Sequence, residues 1–137
     1  MPALRRVRCV TVASMIALTA CSNAQSPVNR RPHTGSASAS IVNGVQQVTI
    51  EVADDFRFHP STITVHPGMV QIVLKHIGTG APHDWELTKF AADFVPVTDA
   101  GQTRSATFVA PAPGRYKFVC TIHQRQGQQG TMIVASN

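Results

Sequence analysis

The sequence contains no glycine-rich phosphate-binding loop, no long amphipathic helical pattern and no apolar run approaching the roughly 20 residues that span a bilayer. These absences argue against a nucleotide-binding domain and a helical membrane protein. Met-rich and His-rich tracts are also missing, as is the second cysteine that would turn Cys120-Thr-Ile-His123 into a covalent haem attachment site. Cysteine is scarce, with Cys9, Cys21 and Cys120 only. The net charge of +5 owes much to Arg5, Arg6 and Arg8 in the first eight positions. From residue 21 onward, nine Lys/Arg face seven Asp/Glu, which leaves little basis for nucleic acid as a partner. What the 137 residues do hold is 43 % hydrophobic content, nine Gly, nine Pro and many Val and Thr, a composition of strands and turns sufficient for one domain.

The N-terminus reads as an address. A basic start is followed by the apolar run Val10–Ala20 and then Leu18-Thr19-Ala20-Cys21. A short apolar run behind arginines, ended by small residues, is the pattern of a secretory signal. The last four residues resemble a bacterial lipobox, so residues 1–20 are expected to be removed and Cys21 to carry lipid. Several acyl chains anchor stably where one is marginal. Ser22 stands where an inner-membrane retention signal would carry Asp, which in a Gram-negative cell favours the outer membrane. Residues 21–43 are rich in Ser, Ala, Asn, Pro and Gly without apolar periodicity and read as a lipidated flexible tether, with His33 merely solvated.

Residues 44–137 then form the domain. Val48, Ile50 and Val52 alternate with Thr49 and Glu51. Similar alternation recurs through Ile63–Val65, Val70–Leu74, Trp85–Leu87, residues 103–109, Tyr116–Cys120 and Met132–Val134, with turns such as His66-Pro67-Gly68 and Pro113-Gly114 between them. About seven or eight short strands argue an all-β sandwich or barrel. Residues 88–102 are the least strand-like stretch and are expected to form a loop with a short helical turn. Parity places His83 on the face of Trp85 and Leu87, and Cys120 on that of Tyr116 and Phe118. Two donor side chains thus point to one end of an apolar core, with His123 just beyond.

Cysteine arithmetic sharpens this. Cys9 leaves with the signal and Cys21 takes lipid, so Cys120 is a lone thiol in an exported protein. The options are a buried inert thiol, an intermolecular disulfide, a nucleophile paired with His123, or a metal ligand. No oxyanion-hole motif accompanies the pair. A zinc site of one Cys and two His is chemically possible, but the softness of a thiolate favours copper. The remaining histidines, His59, His66 and His76, lack ligand spacing. His59 and His66 fit surface roles, and His76 ends an inward face as a buried, hydrogen-bonded residue.

At this point the chain resembles the cupredoxin family of plastocyanin and azurin across nearly all of 46–135. The resemblance rests on Phe58-His-Pro60 before Ile63-Thr-Val65, Pro67-Gly68 before a strand, and Pro82-His83-Asp84-Trp85. It continues with Pro113-Gly114-Arg-Tyr-Lys-Phe118, Cys120-x₂-His123 and Gly130-Thr-Met-Ile-Val134. It implies a Greek-key β-sandwich holding one type 1 copper ion on His83, Cys120 and His123. Where plastocyanin-like loops carry an axial Met, this loop carries Gln128, as in stellacyanin-type sites. An amide oxygen there implies a lower reduction potential than a thioether. Met132, nine residues past His123, fits the core instead, and Gln129 is out of register; a backbone oxygen near Pro82 is the other option. Asp84 replaces the family's usual Asn and is positioned to accept from Thr121.

The function implied is a one-electron carrier rather than an enzyme, exchanging electrons with protein partners through His123. Gln124, Arg125 and Gln126 make the surroundings of that port polar and weakly basic, a departure from the family's apolar docking patch. A copper-delivery or resistance protein without redox cycling is the alternative.

Overall fold

The computed structural model describes residues 33–136, and these build eleven strands in two packed sheets with no α-helix. In chain order the strands are β1 (Ser36–Ser38), β2 (Ser40–Val42), β3 (Val45–Val52), β4 (Phe58–His59), β5 (Thr62–Val65), β6 (Met69–His76), β7 (His83–Leu87), β8 (Phe90–Thr98), β9 (Thr103–Val109), β10 (Gly114–Val119) and β11 (Gln129–Val134). One sheet has the order β1-β5-β11-β10-β7-β8; the other runs β2-β3-β6-β9, with β4 paired to β3. The all-β class agrees with the alternation in the sequence, but the strand count is higher than seven or eight.

The alternating residues do what period-2 patterning requires. Ile50, Val52, Ile63, Val65, Ile72, Leu74, Trp85, Leu87, Phe118 and Met132 form the sealed centre between the sheets. Trp85 stacks near Phe108 and Phe118, and Phe118 meets Phe58 edge-on, so aromatic rings fill the widest part of the core. Met132 is fully buried there.

Two stretches depart from the sequence reading. Residues 88–102 contain the nine-residue strand β8 rather than a helical turn. β8 lies at a sheet edge, its register to β7 shifts twice, and Pro96 sits within it. Bulges blur the alternation, and an edge tolerates a proline that a central strand would reject. The second departure concerns the expected tether over 21–43. Its last part is structured: β1 pairs parallel with β5, Ala39 N–H donates to the Thr64 carbonyl, and β2 pairs antiparallel with β3. The two-residue link Asn43-Gly44 has φ of 50° and 80°, the geometry of a tight hairpin turn that Asn and Gly adopt at least cost. Strand pairing therefore reaches back at least to Ser36, ahead of the expected boundary at 44. The signal segment, Cys9, Cys21 and the remainder of the tether lie outside the described residues.

Strand directions locate the functional end. β10 runs toward Cys120, and β6 runs toward the loop that enters β7 at His83. β3 is parallel to β6, so the segment linking β3 to β4 arrives at the same end.

Candidate metal centre

His83 opens β7 on the inward face with Trp85 and Leu87, and it is fully buried. Cys120 follows β10 immediately and is fully buried too, whereas His123 retains 6 % exposure. The donor atoms of these three side chains all lie within 4.8 Å of one another. Cys120 Sγ is 3.5 Å from His123 Nδ1. Gln128, also fully buried, places Oε1 2.8 Å from His83 Nδ1 and donates from Nε2 to the Arg57 carbonyl at 3.4 Å. Metal–nitrogen and metal–sulfur bonds of about 2.0–2.3 Å set donors around one ion at roughly this spacing. A soft thiol with two imidazoles suits copper. Gln129, next in sequence, is exposed on β11.

The protonation chemistry fits such a group. Burial lowers the His83 pKa, the neighbouring His123 lowers it further, and the Gln128 contact opposes both. The imidazole is thus neutral and its lone pair available at ordinary pH. Burial pushes the Cys120 thiol up to about 11, and the Asp84 charge adds to this against the backbone N–H groups of Asp84 and His123. A thiolate in this place needs a cation beside it, which a bound metal supplies.

The ligand loop is tied by its own backbone. Cys120 N–H donates to the Gln128 carbonyl at 3.1 Å, while His123 N–H donates to the Cys120 carbonyl and Gln128 N–H to the His123 carbonyl, each at 3.2 Å. A 3₁₀ turn, Gln124–Gln126, ends on Gly127 at φ 78°. Asp84 braces this loop from β7: Oδ1 accepts Thr121 N–H at 2.6 Å and Oδ2 accepts the Thr121 hydroxyl.

The loop before His83 has a brace of its own, which sequence patterning did not reveal. Asp54 accepts Gly80 N–H at 2.8 Å, and Thr79 N–H and the Thr79 hydroxyl at 3.2 Å each. A Cβ at Gly78 or Gly80 would stand 2.5 or 2.8 Å from Asp54 Oδ1, so the carboxylate fits only against glycine. These amide bonds hold the Asp54 carboxyl below its usual pKa. Two residues on, Phe56 adopts φ 54°, a left-handed conformation uncommon for a bulky side chain, and lays its ring against His123 at a centroid distance of 4.7 Å. Phe56 thereby packs against the His83 and His123 imidazoles, a contact set by the meeting of distant loops and invisible in local periodicity.

The four remaining histidines need revision or placement. His76 is buried and meets the His83 ring edge-on at 4.9 Å, but neither of its ring nitrogens has a hydrogen-bond partner, contrary to the hydrogen-bonded role expected of it. His33 is not merely solvated: Nε2 lies 2.9 Å from the Thr62 hydroxyl, and Nδ1 accepts Gly35 N–H. His59 contacts Asp55 at 2.8 Å, and His66 is exposed.

Comparison with known proteins follows the same line. No curated protein sequence matches the chain. Among solved structures, reduced auracyanin from Roseiflexus castenholzii is similar at 21 % identity and a TM-score of 0.58, covering 65 % of this chain and 96 % of that one. Auracyanin A, a "blue" copper protein from Chloroflexus aurantiacus, is similar at 24 % identity and a TM-score of 0.54, with coverage of 64 % and 98 %. The metal-binding domain of the Streptococcus pneumoniae Cu(I)-exporting P-type ATPase CopA, with Cu(I), is similar at 19 % and 0.62, with coverage of 74 % and 97 %. At these identities the structural likenesses establish the fold. The family model for the cupredoxin-like domain matches residues 11–134, nearly the whole chain, and the chain belongs to that family.

Proposed function

We propose that the protein is a type 1 copper protein that carries single electrons, held by His83, Cys120 and His123 with Gln128 as the axial donor, and tethered through lipid on Cys21 to the extracytoplasmic side of a bacterial membrane. The observation that carries this reading is the convergence of the three buried donors within 4.8 Å, with Gln128 Oε1 against one of them. Bound copper supplies one-electron Cu(II)/Cu(I) chemistry. The chain's own part is to keep the donors fixed between oxidation states, so that little rearrangement accompanies transfer. Strand ends, a hydrogen-bonded loop and two carboxylate braces serve that purpose. Gln128, a harder donor than Met, favours a low potential.

His123, the one ligand with residual exposure, is the port for electrons. Arg125 follows it, and Ile122 beside it is 46 % exposed. The docking surface is therefore mixed, with apolar area next to polar and basic groups. Ionic strength is expected to act on encounter with a redox protein donor or acceptor.

A second reading, copper delivery or resistance without redox cycling, draws on the likeness to the CopA metal-binding domain. One experiment separates the two. The copper-loaded full chain should show an intense visible thiolate-to-copper band that bleaches on reduction and returns on oxidation, and Cys120→Ser should abolish it. A colourless, redox-inert complex sinks the carrier reading. Gln128→Met should raise the potential, and an unchanged potential refutes the axial assignment.

A further inference from the structure

We propose that the electron port faces the membrane that anchors the protein, and that its redox partner is a protein embedded in that membrane. This rests on the lipid-anchored carrier reading above and is carried by where the chain enters the domain. β1 runs parallel to β5, which runs parallel to β11, and β11 leads away from the ligand loop. Residues preceding Ser36 therefore lie at the end that holds His83, Cys120 and His123.

Hydrogen bonds fix that placement. Thr34 N–H donates to Ser61 Oγ at 3.0 Å, and the Thr34 hydroxyl donates to the Phe58 carbonyl. The adjacent carbonyl, of Arg57, accepts the Gln128 side-chain amide. The entry point is thus one peptide removed from a residue that touches Gln128. β1 and β2 together cross from this end to the Asn43-Gly44 turn, and β3 brings the chain back. Without this strap, a domain beginning at β3 would be entered from the opposite end, and an N-terminal anchor would leave the port pointing away from the lipid.

Reach makes the consequence quantitative. Eleven residues, 22–32, separate Cys21 from His33, and fully extended they bridge at most about 40 Å. A small globular protein is about 30 Å across. The domain's entry point is therefore held within about 40 Å of the bilayer, somewhat more than the width of one small domain, a distance suited to the exposed face of a membrane-embedded partner. Arg30 and Arg31 lie a few residues ahead of β1 in the sequence, and basic residues there favour an anionic lipid surface.

The test uses the lipidated, copper-loaded full chain in phosphatidylethanolamine/phosphatidylglycerol vesicles, beside a variant lacking residues 23–29. The shortened segment bridges less than about 20 Å, too little for a protein probe to pass beneath the port. Electron exchange is followed with soluble cytochrome c and, separately, with ferricyanide. The deletion is expected to slow the cytochrome c reaction at least about tenfold on vesicles, to leave the ferricyanide reaction unchanged, and to leave both unchanged in detergent. Equal cytochrome c rates for the two chains on vesicles overturn the inference. Mass spectrometry of Cys21 reads the anchor independently: a blue, redox-active chain without acyl groups overturns this inference and leaves the copper reading intact. A colourless chain ends both.

Discussion

Two carboxylates brace the two loops of the metal centre, and they do so in different surroundings. Asp84, 9 % exposed, reaches from a strand to the backbone and hydroxyl of Thr121, the residue after Cys120. Asp54, exposed, reaches from one loop to the amides of another, Thr79 and Gly80, just ahead of His83. Both neutralise unpaired backbone donors, yet water can replace Asp54 and cannot readily replace Asp84. The same device should therefore be structural insurance in one place and a determinant of the metal site in the other.

Asp84→Ala is the harshest test. It strands two Thr121 donors in a half-buried place, and charge-assisted hydrogen bonds of this kind are worth about 1.5–3 kcal/mol each before relaxation. A loss of about 3 kcal/mol in chemical denaturation is expected, together with a 10–100-fold fall in copper affinity, the usual effect of losing a group that orients a ligand. A denaturation midpoint and copper affinity equal to those of the parent would show that water substitutes here as well.

Asp84→Asn separates geometry from charge. The amide keeps an acceptor for Thr121, so stability should fall by no more than about 1 kcal/mol. Removing the negative charge should lower the Cys120 thiol pKa from about 11, since the Asp84 charge contributes to raising it. The reduction potential should rise, because less negative charge beside the site disfavours Cu(II). Thiol titration and voltammetry check both, and a fall in potential would contradict the electrostatic account.

The contrast also explains what could be read before the fold was known. The convergence of His83, Cys120 and His123 was legible because strand parity and an apolar core dictate where alternate side chains point, and the Asp84–Thr121 contact followed from their positions beside two of those donors. Asp54 and Phe56 were not, since their partners lie 25 or more positions away in segments without regular period. β1 and β2 hid for another reason: three-residue edge strands of Ser, Ala and one exposed Ile and Val carry almost no apolar alternation. Their one clear signal was Asn43-Gly44 between Ile41-Val42 and Val45, a hairpin dipeptide embedded in a polar stretch. β8 was obscured by its bulges and by Pro96 at an edge.

Asp54→Ala should do less than either change at Asp84. Thr79 and Gly80 regain water as a partner, so copper should still bind with its thiolate band, while the loop before His83 loosens. Amide exchange at Thr79 and Gly80 should accelerate several-fold with exchange at Thr121 unchanged. Acceleration at Thr121 to the same extent would mean that the two braces act as one unit.

The smallest effect expected is on acid stability, and its sign follows from the same hydrogen bonds. The Asp54 carboxyl is held below its ordinary value of 3.8 by the Gly80 and Thr79 amides. In the unfolded chain it takes up a proton at higher pH than in the folded one, so the unfolded state gains protons first as acid is added. Its stabilising contribution is complete above pH 3.8 and is lost as pH falls from there through the folded value. Asp54→Ala should therefore flatten the stability profile below pH 4 and change little near neutrality. His83 acts in the same direction at higher pH: burial depresses it from 6.5, so protonation favours unfolding as pH drops below that value. The two windows open at different pH, below 6.5 for His83 and below 3.8 for Asp54. A profile of denaturation midpoints from pH 7 to 3 should show the His83 slope in both proteins and the lower, Asp54-dependent slope only in the parent; an identical lower slope in the variant would remove Asp54 from the account.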